Sequence, residues 1–285
     1  MNKVIERTMI VPNMHLLVLE APEIASKIQP GQFVIVRPQE EGERIPLSIA
    51  DWDAEKGTIS IVFMEVGAST GMLASLCKGD VVPTCVGPLG NPSEIGHFGT
   101  VLCVGGCYGI GSLYPLVREL KRAGNRVMIL IEARSSYLVY WLNRFVSVAD
   151  KIFTITRDGS MGMKGHISRL SDVLNSLPAP PDRIIVNGCT YLMASTSEVT
   201  KGMNIPTIVN LNPIMIDGTG MCGVCRVTVD GQMRFACVDG PEFNGHEVDW
   251  QEFLARRKQY LDEETMFFRH SEPNEPIHKE GKCHS

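Results

Sequence analysis

The chain has 285 residues, of which 44% are hydrophobic and 21% charged, and its formal net charge is −5 at pH 7. This length accommodates two domains, the composition is that of a globular protein, and the acidic balance without any basic run argues against nucleic-acid binding. The first residues lack the apolar core of a secretory signal, and the longest apolar runs are far too short to span a bilayer, so we expect a soluble, cytoplasmic protein without membrane contacts. Nine cysteines in such a chain fit metal ligands or buried thiols better than disulfides.

Residues 1–97 are predicted to form an all-β domain. They contain six short runs of alternating or β-branched residues, bounded by Pro, Gly and Asp, and such runs are typical of strands. Residues 68–76 break this pattern and predict a helix, with Ser69 or Thr70 as its cap. Short strands at this density predict a small antiparallel β-barrel.

Residues 98–211 follow a different rhythm, in which apolar strands alternate with amphipathic helices. Strands are predicted at 100–106 and 126–133, and helices at 112–124 and 136–148. Fully apolar strands that alternate with helices predict a parallel sheet covered on both faces. We therefore expect a Rossmann-like domain, which makes the whole chain α/β plus all-β.

The remaining chain divides into a segment rich in Gly and Cys at 212–246 and a C-terminal part at 247–285. Residues 248–264 are predicted to form one charged helix. The polar tail after it carries side chains that could bind a metal or belong to a loose terminus. These are His270, His278, Cys283 and His284.

A glycine-rich run lies where the first Rossmann strand turns into its helix. It contains Gly105, Gly106, Gly109 and Gly111. Glycines here let the backbone approach a pyrophosphate, which would rest on the helix N-terminus. A tight turn without a ligand is the alternative, but a buried strand before the run and an amphipathic helix after it favour a nucleotide loop.

The choice between NAD and NADP stays open. Glu132 at the end of the second strand favours a ribose diol, whereas Arg134 and Ser135 could hold a 2′-phosphate. Cys107 and Cys189 lie beside glycines of this domain. Each could approach the nicotinamide, or could simply fill a small space in the packing.

The segment at 212–246 carries a metal-ligand spacing. Two residues separate Cys222 from Cys225, eleven more precede Cys237, and four lie between Asp217 and Cys222. Plant-type ferredoxins hold a [2Fe–2S] cluster with C-x4-C-x2-C and a distant fourth Cys, so an aspartate here occupies the first position. Thiolates suit iron, and the surrounding glycines let a loop fold around a cluster. The alternatives are a zinc site completed by Cys237 and His246, and Asp217 as a turn former.

Two further motifs lie in the barrel. Residues 46–48 read Pro-Leu-Ser on a strand, and Gly67, Ser69 and Thr70 open the predicted helix, whose free N–H groups suit an anionic phosphate. A barrel with these motifs followed by a nucleotide domain resembles the ferredoxin reductase-type flavoprotein superfamily. In that superfamily the barrel holds a flavin and the second domain binds NAD(P)H.

The resemblance implies an FAD site with Ser48 at the flavin N5 edge as the catalytic candidate. One departure is that the motif's arginine is replaced by Ile45, while Arg44 lies one residue early. The implied FAD-binding residues are Arg44, Pro46, Leu47, Ser48, Phe63, Met64, Glu65, Gly67, Ser69 and Thr70.

The C-terminal segment narrows the resemblance. The stretches DGTGMCGVCR at 217–226 and RFACVDGPEFNGHEVDW at 234–250 are similar to the small subunits of NADH-dependent reduced ferredoxin:NADP oxidoreductases. Related subunits of the dihydroorotate type carry Cys in the first ligand position. The resemblance makes Asp217 the fourth cluster ligand.

This resemblance implies an oxidoreductase subunit that passes hydride between NAD(H) and FAD, and single electrons between FAD and a [2Fe–2S] cluster. It also implies a larger partner subunit with FAD and [4Fe–4S] clusters, electron bifurcation, and ferredoxin as an indirect partner. The alternatives are an electron-transfer subunit of a dihydroorotate or sulfide dehydrogenase, and a zinc-stabilised module without redox function.

Overall fold

The computed structural model describes residues 2–40 and 42–259, and its N-terminal part is an antiparallel sheet of seven strands. The strands are β1 (Asn2–Val11), β2 (Met14–Glu20), β3 (Phe33–Arg37), β4 (Ile45–Asp53), β5 (Thr58–Met64), β6 (Val81–Val82) and β7 (Thr84–Leu89). Their order is β6-β1-β2-β5-β4-β3-β7. Since only Pro83 separates the two edge strands β6 and β7, the sheet curls into a nearly closed barrel, as predicted. The seventh strand arises because Pro83, which has no N–H to donate, divides the last predicted run.

Two helices pack on the barrel. α1 (Pro22–Ala25) is a single turn that the sequence analysis missed, and α2 (Ala68–Ser75) matches the predicted helix. Leu73 of α2 is buried in the same core as Leu17 and Ile61 of the barrel strands. Alternating residues of the strands fill this core because successive side chains of a strand point to opposite faces.

The second sheet also has seven strands. The remaining strands are β8 (Thr100–Gly106), β9 (Arg126–Ala133), β10 (Lys151–Thr156), β11 (Met163–Lys164), β12 (Arg183–Asn187), β13 (Thr207–Asn210), β14 (Arg226–Val229), β15 (Gln232–Phe235) and β16 (Glu242–Asn244). The remaining helices are α3 (Gly109–Arg122), α4 (Leu142–Val146), α5 (Leu170–Asn175), α6 (Thr190–Gly202) and α7 (Trp250–Arg257). The order β11-β10-β9-β8-β12-β13-β16 is parallel except for β16, which confirms the Rossmann-like prediction.

The parallel strands are apolar on both faces because both faces are covered. On β8, Leu102 and Val104 pack into one core, whereas Val101 and Cys103 pack into another on the opposite face. The continuous apolar run that predicted this strand therefore reflects two cores, one on each side of the sheet.

The C-terminal segment is tied to this sheet. β14 and β15 form an antiparallel hairpin, and β16 adds an antiparallel edge strand in which Phe243 pairs with Val209 of β13. α7 begins at the Asp249 cap, whose side chain accepts a hydrogen bond from the Glu252 amide. The predicted continuation of this helix to residue 264 and the His and Cys of the tail lie outside the described residues.

The prediction of one helix over 136–148 is wrong in its middle. A single 3-10 turn covers Ser136–Leu138 and α4 covers Leu142–Val146, while Val139 is extended and Trp141 adopts a left-handed φ of 59°. The break turns the Tyr140 hydroxyl towards the glycine-rich run at 105–111, called the glycine loop below, where the hydroxyl makes two backbone hydrogen bonds. A tertiary contact therefore overrides the local helical pattern.

The barrel and the Rossmann-like domain meet along α3. The Asp51 carboxylate of β4 binds Arg118 of α3 and Arg144 of α4. Within residues 2–40 and 42–259, no helix is both long and apolar enough to cross a membrane.

Candidate functional site

The glycine loop is packed tightly against its neighbours. A Cβ on Gly109 would lie 2.1 Å from the carbonyl oxygen of Asn187, and one on Gly111 would lie 2.8 Å from the Val62 Cβ of the barrel. Gly105 is similarly close to the Leu113 side chain, and Gly106 to Leu192. The close approach of α3 to β12 and to the barrel therefore requires glycine at 109 and 111, whatever these residues contribute to a pyrophosphate.

Tyr140 is hydrogen-bonded to the backbone of this loop. Its hydroxyl accepts a hydrogen bond from the Gly111 amide at 3.0 Å and donates one to the Cys107 carbonyl at 2.9 Å. Burial raises the pKa of Tyr140 well above its usual range, so the group stays a neutral phenol. Tyr140 was not predicted as a site residue, because its partners lie about thirty positions earlier in the chain and leave no local sequence signal.

The loops around Cys107 and Cys189 lie side by side. Cys107 is exposed and has a left-handed φ of 52°, and Cys189 is half-buried in front of α6. The Tyr108 hydroxyl donates to the Gly188 carbonyl at 3.2 Å and joins the two loops. The ends of β8 and β12 thus form one edge, the carboxyl edge at which open α/β sheets bind ligands.

The residues at the end of β9 that could distinguish NAD from NADP differ in exposure. Glu132 and Ser135 are buried, and Arg134 between them is exposed. The Ser135 hydroxyl is 3.2 Å from the Ser160 hydroxyl.

Thr70 shapes the N-terminus of α2. Its hydroxyl oxygen accepts hydrogen bonds from the amides of Val66 at 2.9 Å and Gly67 at 3.0 Å. Gly67 is the cap, and Ser69 is buried in the first turn. The first amides of a helix lack partners inside the helix, so this turn presents donors suited to an anion.

The predicted residues of β4 lie together beside β3. Pro46, Leu47 and Ser48 are half-buried, Ser48 pairs with Phe33, and Arg44 is exposed before the strand. Leu47 packs against the barrel core, whereas Pro46 and Ser48 point to the opposite face of β4, where Ser48 is partly accessible.

The predicted FAD-binding residues at the end of β5 contact other side chains of the barrel, chiefly His15. Phe63 is 2% exposed and lies in the barrel core, stacked on the His15 ring at 5.4 Å between centroids. Glu65 lies 2.9 Å from His15 Nε2, and Met64 is half-buried. The Phe63 side chain thus offers no surface to a ligand. His15 was missed, although a single histidine in an otherwise apolar strand was the available signal.

The C-terminal segment brings two of the predicted cluster thiols together. Cys225 and Cys237 are buried with their Sγ atoms 3.1 Å apart, while Cys222 is exposed. Burial, followed by the hydrogen bond with Cys225, raises the pKa of Cys237 to about 12. A bound metal would reverse this effect because its charge stabilises thiolates.

Asp217 organises the loop before these cysteines. One carboxylate oxygen accepts from the Thr219 amide and the other from the Cys222 amide, both at 2.8 Å. The hydrogen bond from Thr219, together with that from Cys222, outweighs slight burial and lowers the pKa of Asp217. A carboxylate has about four acceptor positions, so two amide bonds leave capacity for iron.

The donor set of this loop fits an iron–sulfur cluster better than the zinc alternative. Gly218, Gly220 and Gly223 all have left-handed φ angles, which fold the loop tightly. His246 instead lies 2.9 Å from the Thr200 hydroxyl of α6. In the described part of the chain, no group of three or more His, Cys, Asp or Glu side chains is already assembled as a metal site.

Comparisons with known proteins agree with this geometry. Residues 212–249 match the family described as the iron–sulfur cluster binding domain of dihydroorotate dehydrogenase B. The chain is 42% identical to a dihydroorotate dehydrogenase B (NAD(+)) electron transfer subunit homolog of Thermotoga maritima, over 94% of each sequence. It is 30% identical to the corresponding electron transfer subunit of Desulforamulus reducens, over 87% of this chain and 97% of the relative.

A solved structure is also similar over nearly the whole chain. It comes from work on flavin-based electron bifurcation by the NADH-dependent reduced ferredoxin-NADP oxidoreductase. The TM-score is 0.89 at 41% identity, with 94% of this chain and 97% of that chain covered.

The barrel, the parallel sheet and the cluster segment together define a ferredoxin reductase-type flavoprotein with an iron–sulfur domain. The chain belongs to the family of dihydroorotate dehydrogenase B electron transfer subunits and their homologues. The prediction of an NAD(H)-dependent oxidoreductase with FAD and an iron–sulfur cluster is confirmed by this family and fold. An electron-transfer subunit of this kind works with a larger partner subunit.

Proposed function

We propose that this chain is the small subunit of an electron-bifurcating, NADH-dependent ferredoxin:NADP transhydrogenase. The observation that carries the proposal is its likeness, over nearly its whole length, to a chain from such an oxidoreductase at 41% identity and a TM-score of 0.89. The proposed partner is a larger flavoprotein subunit with FAD and [4Fe–4S] clusters, through which ferredoxin is an indirect partner.

The three parts of the chain have separate tasks in this proposal. The barrel at 1–97 holds FAD, the domain at 98–211 holds NAD(H), and the segment at 212–246 holds a [2Fe–2S] cluster. When bound, the flavin supplies the conversion between two-electron hydride chemistry and one-electron transfer. The protein contributes placement, electrostatics and a short path between the sites.

Particular residues support each task. The α2 amides, shaped by Thr70, bind the FAD phosphates, and Ser48 orients the ring system from β4. Cys222, Cys225 and Cys237 bind the cluster with Asp217 as fourth ligand. Gly218 supports this arrangement because its loop lies against Ile35 and Leu89 of the barrel, which brings the cluster loop close to the flavin domain.

The second candidate is an electron-transfer subunit for a dihydroorotate dehydrogenase. The 30% identity to the subunit of Desulforamulus reducens favours it. Both candidates use the same relay within this chain and differ in the larger subunit and its substrate.

The partner's chemistry separates the two. The chain is co-expressed with each candidate larger subunit, and the purified complexes are assayed for NADP+ reduction that requires both NADH and reduced ferredoxin. We expect this coupled activity, and expect a complex with Cys225→Ser in this chain to lose it. Dihydroorotate-dependent reduction of NAD+ without any coupled activity would overturn the transhydrogenase proposal in favour of the second candidate.

A further inference from the structure

Cys107 and Cys189 follow the carboxyl ends of two neighbouring strands of the Rossmann-like sheet. β8 and β12 are parallel, and Asn187 is the last residue of β12 in register with β8. The two chains stay side by side for one residue more, since a Cβ on Gly188 would lie 3.0 Å from the Gly106 carbonyl oxygen. The next residue in each chain is a cysteine, so the continued register places Cys107 and Cys189 opposite each other.

The spacing of these two positions suits a disulfide bond. Neighbouring strands lie about 4.8 Å apart, and the two Cα atoms of a disulfide are usually about 4.4–6.8 Å apart. Both residues are free thiols in the structure, Cys107 exposed and Cys189 half-buried. Each follows a glycine, which lets the backbone make the small adjustment that a bond between the side chains requires.

The two cysteines lie at the crevice where the helices change from one face of the sheet to the other. α3, which follows Cys107, buries Leu113 on the barrel side of the sheet, whereas α6, which follows Cys189, buries Met193 on the opposite side. Open α/β sheets bind their ligands in such a crevice. Cys107 also holds a left-handed φ of 52°, a strained conformation for a residue other than glycine and one that occurs often at functional sites.

The protonation of Cys107 keeps the pair reduced under ordinary conditions. Although part of the residue is exposed, burial of the rest, followed by the proximity of Cys189, raises the pKa of Cys107 to about 11. The thiolate is the reactive form of a cysteine, so at neutral pH this thiol reacts slowly and responds only when an oxidant accumulates.

We propose that Cys107 and Cys189 are a redox pair, which hydrogen peroxide converts to a disulfide that closes the crevice to the nicotinamide. Peroxide first oxidises the exposed Cys107 to a sulfenic acid and releases one water. The Cys189 thiol then attacks that sulfur, which forms the S–S bond and releases a second water. The two thiols lose two protons and two electrons in all, and with these the peroxide becomes two molecules of water. The inference rests on the proposed use of a nicotinamide nucleotide at this edge.

The first test uses the wild-type full-length chain alone. It is treated with hydrogen peroxide under anaerobic conditions, the peroxide is removed, and disulfides are located by peptide mass spectrometry. We expect a disulfide between Cys107 and Cys189 that dithiothreitol reverses. Its formation should accelerate from about pH 7 to about pH 9, because more of the Cys107 thiol is then ionised. Free thiols at both positions after this treatment would overturn the inference.

The second test measures by stopped flow how fast NADH bleaches the flavin of treated and untreated protein. Oxidation should slow wild type at least about tenfold, because a bond across the crevice displaces the nucleotide from its productive position, and dithiothreitol should restore the rate. Cys107→Ser and Cys189→Ser should each keep their own untreated rate after the same treatment. Cys85→Ser, which removes a half-buried thiol of β7, is the matched control and should respond as wild type does.

The outcomes separate this inference from the proposed function. A disulfide that leaves the rate of flavin reduction unchanged, or a loss of rate that persists in both Cys107→Ser and Cys189→Ser, would overturn the inference and leave the proposed function standing. Untreated wild type whose flavin is not bleached by NADH would contradict the proposed function, and with it the inference.

Discussion

Cys225 precedes the β14–β15 hairpin and Cys237 follows it, and the fold brings their Sγ atoms to within 3.1 Å of each other. Replacing either with Ser should remove most of the iron from the purified chain while FAD stays bound, because serine is a poor ligand for iron and the barrel lies elsewhere in the sequence. Iron and flavin per polypeptide are measured side by side. Cys189→Ser, beside α6, is the control and should keep both, whereas full iron in both hairpin variants would rule out these ligands.

Glu242 links the folded state to pH. Its carboxylate accepts a hydrogen bond of 2.6 Å from the Ser93 hydroxyl, yet burial outweighs this bond and raises the pKa of Glu242 above its usual range. Between the unfolded and the raised folded pKa the native state binds more protons than the unfolded state. The free energy of unfolding therefore falls as pH rises through that window.

The matched variant is Glu242→Gln, which keeps an acceptor for Ser93 but cannot ionise. Thermal unfolding from pH 5 to pH 8 should show a smaller decline in Tm than wild type, and a higher Tm at pH 8. Glu247→Gln, an exposed residue nearby, should follow wild type. An unchanged pH profile in Glu242→Gln would mean that this carboxyl does not carry the dependence.

These residues also show which parts of the candidate site could be predicted from the sequence and which could not. The spacing of Cys222, Cys225 and Cys237 is local and chemically specific, so it indicated a cluster before any fold was known. Glu242 and Ser93 are 149 positions apart, and such a pair has no local signal. Glu132 was visible as an acid after a strand, but its lack of a hydrogen-bond donor among the described residues depends on three-dimensional packing.

The glycine loop and Tyr140 form one braced element. Tyr140→Phe removes the acceptor of the buried Gly111 amide, which should lower the free energy of unfolding by about 1–3 kcal/mol. The less rigid loop should also bind NAD+ several-fold more weakly. Urea unfolding and calorimetry measure the two effects, with Tyr137→Phe, which is 61% exposed, as the control. Wild-type values for both quantities in Tyr140→Phe would show that the brace is dispensable.

The same element explains where the secondary-structure prediction fails. Strands such as β8 and β9 were predicted to the residue because their apolar runs fill two cores. The run at 136–148 has helical composition, but the Tyr140 hydrogen bonds with the glycine loop favour an extended turn. The tertiary contacts of Tyr140 thus outweigh the weak helical propensity of residues 136–148.

Across the whole molecule, Asp51 connects the two large domains. It pairs with Arg118 at 2.8 Å and with Arg144, whose guanidinium stacks on Tyr114 at 4.0 Å and Trp141 at 4.3 Å. These side chains are partly buried, so removing the Asp51 carboxylate leaves Arg144 without an acidic partner among the described residues and Arg118 paired with Glu119 alone. We expect Asp51→Asn to lower the free energy of unfolding by about 1–3 kcal/mol, with partial exposure keeping the loss below that of a fully buried pair.

Urea unfolding followed by flavin and tryptophan fluorescence measures this loss. Asp53→Asn on the same strand is the control, because Asp53 pairs with Lys56 at the surface and should change stability little. If Asp51→Asn unfolds like wild type, the domains are held together by the apolar packing of α3 on β4 instead.

The proposed role of this chain is to relay electrons from NADH through flavin to an iron–sulfur cluster. The most direct measurement is anaerobic titration of the purified chain with NADH, followed by visible absorption and electron paramagnetic resonance. We predict that the isolated protein contains FAD and iron, that NADH bleaches the flavin absorption, and that the signal of a reduced cluster then develops. A protein that lacks flavin and iron, or whose flavin stays oxidised in excess NADH, would rule out this relay.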